Sequence, residues 1–125
     1  MTRYLFPAPV PASLPVIGQS ERFPVGRIFC VGRNYAAHAA EMGAEVDRGS
    51  PFYFLKSAHA VLESGGVLPY PPGTEDLHHE IEMVVAIGAP AFRVTADQAA
   101  SAIWGYGTGL DLTRRDIQGR AKAKG

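Results

Sequence analysis

Glu80 and Glu82 stand one residue apart in the run His79-Glu80-Ile81-Glu82-Met83-Val84-Val85-Ala86-Ile87-Gly88. The run is short, rich in apolar residues and closed by glycine, which predicts a strand. Alternate side chains of a strand share a face. Ile81, Met83, Val85 and Ile87 are therefore expected to point into a core. Glu80 and Glu82 lie side by side on the other face, roughly 7 Å apart at ~3.3 Å per residue. Two like charges that close repel, and burying them is costly unless something positive sits between them. A hard divalent cation is the simplest such partner, because Mg²⁺, Mn²⁺ and Ca²⁺ prefer carboxylate oxygens. On a solvated strand edge the same pair would do nothing, so the pattern alone leaves both readings open. Asp111 is the third carboxylate. In Trp104-Gly105-Tyr106-Gly107-Thr108-Gly109-Leu110-Asp111-Leu112, read at period two, the three glycines share a face with Asp111. Positions without side chains let a backbone or a ligand approach closely. Glu80, Glu82 and Asp111 together would suit Mg²⁺ or Mn²⁺ with waters completing the shell; alone, Asp111 reads equally well as a strand-end cap.

His38 and Glu41 are spaced i and i+3 in a stretch, Tyr35 to Met42, that reads as an alanine-rich helix stopped by Gly43. A carboxylate beside an imidazole orients it and raises its basicity, as a general base requires; the same spacing also describes a solvated helix face. His78 falls on the glutamate face, within reach of a bound ion's surroundings, and His79 on the other. His79-Glu80 does not open a zinc-protease H-E-x-x-H, because position 83 is Met83. The glycines at 105, 107 and 109 do not spell a dinucleotide fingerprint and lie on a strand. Arg33, Arg114 and Arg115 are candidate anion clamps or ordinary surface arginines. Lys56 ends a predicted strand, and its role is open.

The elements that must position these groups are short. Four prolines, at 7, 9, 11 and 15, predict an extended arm rather than helix or ladder. Val25–Gly32 reads as a short buried strand with Cys30 packed inside it. Pro51–Lys56 reads as a strand, Val61–Leu68 as strand, turn and strand, and Tyr70–Gly73 as a turn. Thr95 with Gln98 has the form of a capping box, and so does Thr113 with Asp116, which predicts a helix from there carrying Arg114, Arg115 and Gln118. At 125 residues, with 12 Lys+Arg against 12 Asp+Glu, this is at most one domain with no basic excess for nucleic acid or a membrane surface. No apolar run approaches a membrane span, the N-terminus has no signal-peptide core, and a single cysteine excludes an internal disulfide. A cytoplasmic protein is expected.

Several of these pieces, in order, resemble the fumarylacetoacetate hydrolase family. They are Cys30-Val31-Gly32-Arg33-Asn34-Tyr35 followed by His38 and Glu41, Phe54-Leu55-Lys56, the His79–Gly88 run, and Gly105-Tyr106 leading to Asp111-Leu112-Thr113-Arg114-Arg115-Asp116-Ile117-Gln118. Phe23-Pro24, Arg33-Asn34-Tyr35 and Asp76-Leu77-His78-His79-Glu80 look most like the members that hydrolyse fumarylpyruvate in gentisate-type aromatic-acid breakdown. The resemblance implies a β-rich α+β fold, a mixed β-sheet roll, with residues 1–24 as a proline-rich arm and 25–125 as the N-terminal part of the catalytic domain. It implies Mg²⁺ (or Mn²⁺ or Ca²⁺) held by Glu80, Glu82 and Asp111, and His38 with Glu41 activating water on a helix that orders over substrate. It implies a substrate-binding set of Arg33, Lys56, Arg115 and Gln118. The substrate would be a small 2-oxo acid, and the assembly a homodimer. Oxaloacetate decarboxylase or tautomerase and hydroxymuconate isomerase share the metal site; a catalytically silent metal-binding β-domain is the reading of another class. Ser57 stands where the family usually has proline, and His59 where a smaller or acidic residue is common. The family continues through further strands, including a substrate-contacting lysine, so the 125 residues are expected to belong to a longer folding unit.

Overall fold

The structure, a computed structural model, describes residues 2–32, 34–35 and 49–124. The chain divides into two compact units, Met1–Leu68 and Pro69–Gly125. The first holds two antiparallel hairpin-like ladders. Strand β1 (Ala12–Pro15) pairs with β2 (Arg22–Val25), and β3 (Ile28–Gly32) pairs with β4 (Phe52–Lys56). The end of the proline-rich stretch is thus part of a ladder, contrary to expectation. Pro15 pairs with Arg22, and Pro24 with Ser13. A proline cannot donate to a neighbour, but a two-stranded ribbon has only edge strands, where that donor is dispensable. Arg22 fastens the pair by donating from Nε to Ser13 Oγ at 2.8 Å and from Nη2 to the Ser13 carbonyl at 3.0 Å. Its guanidinium also meets Glu63. That contact meets a segment, residues 61–68, that forms no strand and turns only at Ser64–Gly65 instead of the expected strand, turn and strand: Gly66 N–H donates to the Glu63 carbonyl at 3.0 Å and Gly65 sits at φ +86°.

Strand β3 alternates half-buried and exposed positions instead of being buried throughout, and Cys30 is half-buried. Its last residue must be glycine for a packing reason. A Cβ on Gly32 would come within 2.7 Å of the Phe52 ring directly across the ladder. A single 3₁₀ turn, Ala58–Ala60, follows β4 and is capped by the Ser57 hydroxyl.

The second unit is a long antiparallel ribbon. Strand β5 (Leu77–Ile87) pairs with β6 (Ile103–Arg114), with a register shift at Ala86/Ile87. Helix α1 (Ala96–Ser101) connects them and opens on the expected capping box: Gln98 N–H donates to Thr95 Oγ1 at 3.3 Å while Gln98 Oε1 accepts from Thr95 N–H at 2.9 Å. Helix α2 (Arg115–Lys124) follows β6 without a break. Thr113 does not cap it, because Thr113 is still in β6, paired with His78. Asp116 turns instead to the segment before β5. It accepts from the Thr74 hydroxyl at 2.6 Å and from Glu75 N–H, and the Arg115 N–H donates to the Asp76 carbonyl at 2.8 Å. These bonds seat the first turn of α2 beside the start of β5. Among the described residues only Thr74 and Ala102 are buried, and Ile81, Met83, Val85 and Ile87, expected to point into a core, are exposed within these 125 residues. None of the described helices is long and apolar enough to cross a membrane.

Candidate functional site

The β5–β6 register decides which groups meet. His78 faces Thr113, Glu80 faces Asp111, and Glu82 faces Gly109. These positions share one face of the ribbon. Directly opposed residues have Cβ atoms ~5 Å apart, a spacing at which like charges destabilise the pair. Gly109 places no side chain opposite Glu82, and Val84 leans over it: a Cβ at 109 would meet Val84 Cγ2 at 2.9 Å. The three carboxylates expected as ligands therefore stand on adjoining positions of one surface, and Glu80, Glu82 and Asp111 are all half-buried. Within the described residues no set of three acidic, His or Cys side chains is gathered closely enough to hold an ion. The donor chemistry nevertheless fits a hard divalent cation: oxygen ligands only, on neighbouring ladder positions, with a side-chain-less position beside them.

The charge that the structure does supply comes from α2. Arg115, the first residue of that helix, forms an ion pair with Glu80 through Nη2, and both side chains are withdrawn from water, at 15% and 21% exposure. Its Nη1 donates to Gln118 Oε1 at 2.7 Å, one helical turn on. Its Nε lies 3.4 Å from His78 Nδ1, and His78 Nε2 lies 3.0 Å from Asp76 Oδ1. Nδ1 is placed to accept and Nε2 to donate. One guanidinium thus joins Gln118 of its own helix to Glu80 and His78 of β5, 35 or more positions away.

Sequence reasoning put Arg115 and Gln118 on the substrate side; the structure brings both to the carboxylate face. Arg114, the other clamp candidate of this segment, ends β6 opposite Leu77 and belongs to the opposite face. Lys56 ends β4 opposite Ile28 in the first unit. Arg33, His38 and Glu41 lie outside the described residues. What the sequence did not reveal is the lock beside the site. Thr74, buried, holds Asp116, and its hydroxyl draws the Asp116 carboxyl below the ordinary 3.8, helped by the Ile117 and Glu75 amides and by Arg120 and opposed by partial desolvation. The signal available was Asp116 three residues after Thr113, a capping pattern that in fact serves a donor 42 residues away.

Comparison with known proteins follows the same lines. The profile described as fumarylacetoacetate (FAA) hydrolase C-terminal matches residues 27–125. Fumarylpyruvate hydrolase of a Ralstonia species is 51% identical over 86 residues, 67% of this chain and 45% of that protein. The oxaloacetate tautomerase YcgM of Escherichia coli is 42% identical over 103 residues, 82% of this chain and 47% of that protein. The crystal structure of fumarylpyruvate hydrolase from Pseudomonas aeruginosa in complex with Mn²⁺ and pyruvate superposes with a TM-score of 0.89 at 46% identity, over 98% of this chain and 54% of that one. The chain spans about half the length of the curated relatives it matches.

Proposed function

Since this chain belongs to the fumarylacetoacetate hydrolase family, with that family's β-rich α+β fold, we propose that it serves a divalent-metal-dependent hydrolase that cleaves a carbon–carbon bond in an acylpyruvate, fumarylpyruvate giving fumarate and pyruvate. The observation that carries the reading is the ladder register, which sets Glu80 opposite Asp111 with Glu82 on the same face. Glu80, Glu82 and Asp111 would hold the ion, Mn²⁺ or Mg²⁺, which when bound supplies Lewis-acid stabilisation of negative charge on a 2-oxo acid. Arg115 and Gln118 present a cation and an amide beside those carboxylates, the chemistry needed to fix a substrate carboxylate. Arg33 and Lys56 are the further cations of the substrate set.

His38, oriented by Glu41, takes a proton from water as the water oxygen attacks the carbonyl carbon remote from the pyruvyl end. The bond between that carbon and the pyruvyl methylene breaks, and the electron pair stays on the pyruvyl fragment. The imidazolium of His38 returns its proton to that fragment, so atoms and charge balance. A second reading has a specific support: the relatives from Escherichia coli and Arabidopsis are oxaloacetate tautomerases. The same base acting on a 2-oxo acid, with no water attack, would move a proton between carbon and oxygen.

The test is metal-dependent loss of fumarylpyruvate absorbance by the full-length protein, stripped with chelator and restored with Mn²⁺, run beside enol–keto exchange of oxaloacetate. Hydrolysis restored by Mn²⁺ supports the first reading, and exchange without hydrolysis supports the second. His38→Ala is expected to lower turnover by a factor on the order of 10²–10⁴ with Mn²⁺ affinity unchanged. Loss of Mn²⁺ affinity at undiminished saturated turnover would overturn the role given to His38.

A further inference from the structure

The Arg115–Glu80 pair has a consequence for how an ion enters. Arg115 sits at the start of α2, its backbone N–H bound to the Asp76 carbonyl at 2.8 Å. Its guanidinium is committed to Glu80 on one side and to Gln118 on the other. A divalent cation seeking Glu80, Glu82 and Asp111 needs the Glu80 carboxylate that the guanidinium already engages. Two cations on one largely desolvated carboxylate repel.

We propose that Arg115 is the resident counter-ion of the metal-free carboxylate face, displaced from Glu80 when a divalent cation binds, so that metal loading turns the Arg115–Gln118 pair over to an incoming carboxylate. The inference rests on the metal-site reading above. It makes Arg115 a competitor of the ion and not an orienter of its ligand, and these roles predict opposite effects. Coupling between sites is reciprocal. An anion that captures the displaced guanidinium therefore tightens the ion, and the ion tightens the anion.

The experiment measures Mn²⁺ binding to the full-length protein by calorimetry and by the paramagnetic resonance signal of free Mn²⁺, for wild type, Arg115→Met and Arg115→Lys. Arg115→Met should bind Mn²⁺ about tenfold more tightly, within the usual range of such couplings, and should melt at a lower temperature than wild type only when metal-free. Arg115→Lys, which keeps the charge and loses the planar fork, should fall between the two. Adding pyruvate should tighten Mn²⁺ on wild type and lose that effect in Arg115→Met. Unchanged or weaker Mn²⁺ affinity in Arg115→Met overturns the proposal while leaving the metal site standing. A wild type that binds no Mn²⁺ overturns both. Should Arg115→Met fail to fold, wild type decides: labelling with an arginine-selective dicarbonyl, read by peptide mass spectrometry, should modify Arg115 several-fold faster in Mn²⁺ than in chelator, and an equal or slower rate overturns the displacement.

Discussion

The two faces of the β5–β6 ribbon differ in cover within this chain, which spans about half the length of the relatives it matches. The face carrying Glu80, Glu82 and Asp111 is half-buried. The face carrying Ile81, Met83, Tyr106 and Leu110 is open, with 71%, 66%, 69% and 58% of those residues exposed. Alternation tells which side chains share a face, and the ladder keeps that alternation along β5 up to the register shift at Ala86/Ile87. It does not tell which face is covered. Here α2 folds back over the start of the carboxylate face and brings Arg115 and Gln118 with it. A polar face gains partial cover when it has groups of its own to bind, and a carboxylate row with a guanidinium set against it is such a case.

The largest expected difference between the faces comes from neighbours one residue apart. Glu80→Gln removes a formal charge from the ligand set. With several kcal/mol of charge stabilisation available from a bound ion, turnover of the full-length protein should fall by about 10³, and Mn²⁺ affinity should fall with it. Ile81→Thr, on the open face, should shift the urea stability of the 125-residue chain by no more than about 0.5 kcal/mol. A cost above ~2 kcal/mol for Ile81→Thr would show that this face is covered in solution, which would erase the contrast; an unaffected Mn²⁺ affinity in Glu80→Gln would remove the chemistry from the other face.

Much of the ribbon was legible in the sequence, for reasons that can be named. Glu80 and Glu82 follow a period of two that no loop would keep, and Thr95 with Gln98 satisfies two backbone groups of the same short helix, so both were local patterns with local consequences. Arg115–Glu80 and Thr74–Asp116 were not legible, since each joins residues 35 or more positions apart whose meeting depends on where α2 leaves β6. The misreadings have the same origin. Thr113 and Asp116 share a capping spacing, but β6 runs on to Arg114 and takes Thr113 into the ladder. Residues 61–68 have strand-like composition, but Gly65 and Gly66 close a turn tied by Arg22 to Glu63.

The glycine row sharpens the comparison at lower energy. Gly105, Gly107 and Gly109 all belong to the carboxylate face, yet their surroundings differ. A Cβ at 109 would press on Val84 Cγ2 at 2.9 Å, whereas one at 105 would meet nothing within 4 Å. Val84 is β-branched and stiff at χ1. Gly109→Ala should therefore destabilise by about 1–3 kcal/mol, the usual cost of overpacking, and weaken Mn²⁺ by crowding Glu82 across the ladder. Gly105→Ala should be neutral, or stabilise by about 0.4–1 kcal/mol through the unfolded chain. Equal effects at the two positions, read from urea midpoints, would mean that the row is open along its whole length and that Val84 does not close its end.

The smallest effect concerns the lock that seats α2, and it is read through pH. Asp116 is held below its ordinary value of 3.8, first by the Thr74 hydroxyl and then by the Ile117 and Glu75 amides and Arg120. A carboxyl lowered on folding stabilises the native state above its unfolded value, and that stability is lost as pH falls through the folded value. The window for Asp116 thus opens at 3.8 and runs downward. Thr74→Val keeps the shape of a buried side chain and removes the donor. At pH 7 the variant should melt below wild type. On acidification through 3.8 the two melting temperatures should converge, because protonated Asp116 no longer rewards the hydroxyl's hydrogen. Asp116→Asn, which cannot titrate, should show a flatter acid limb than wild type. A difference between wild type and Thr74→Val that stays constant from pH 7 to pH 3 would mean that the hydroxyl stabilises both forms of the carboxyl alike. The seating of Arg115 over Glu80 would then rest on the backbone bond from Arg115 N–H to the Asp76 carbonyl rather than on charge.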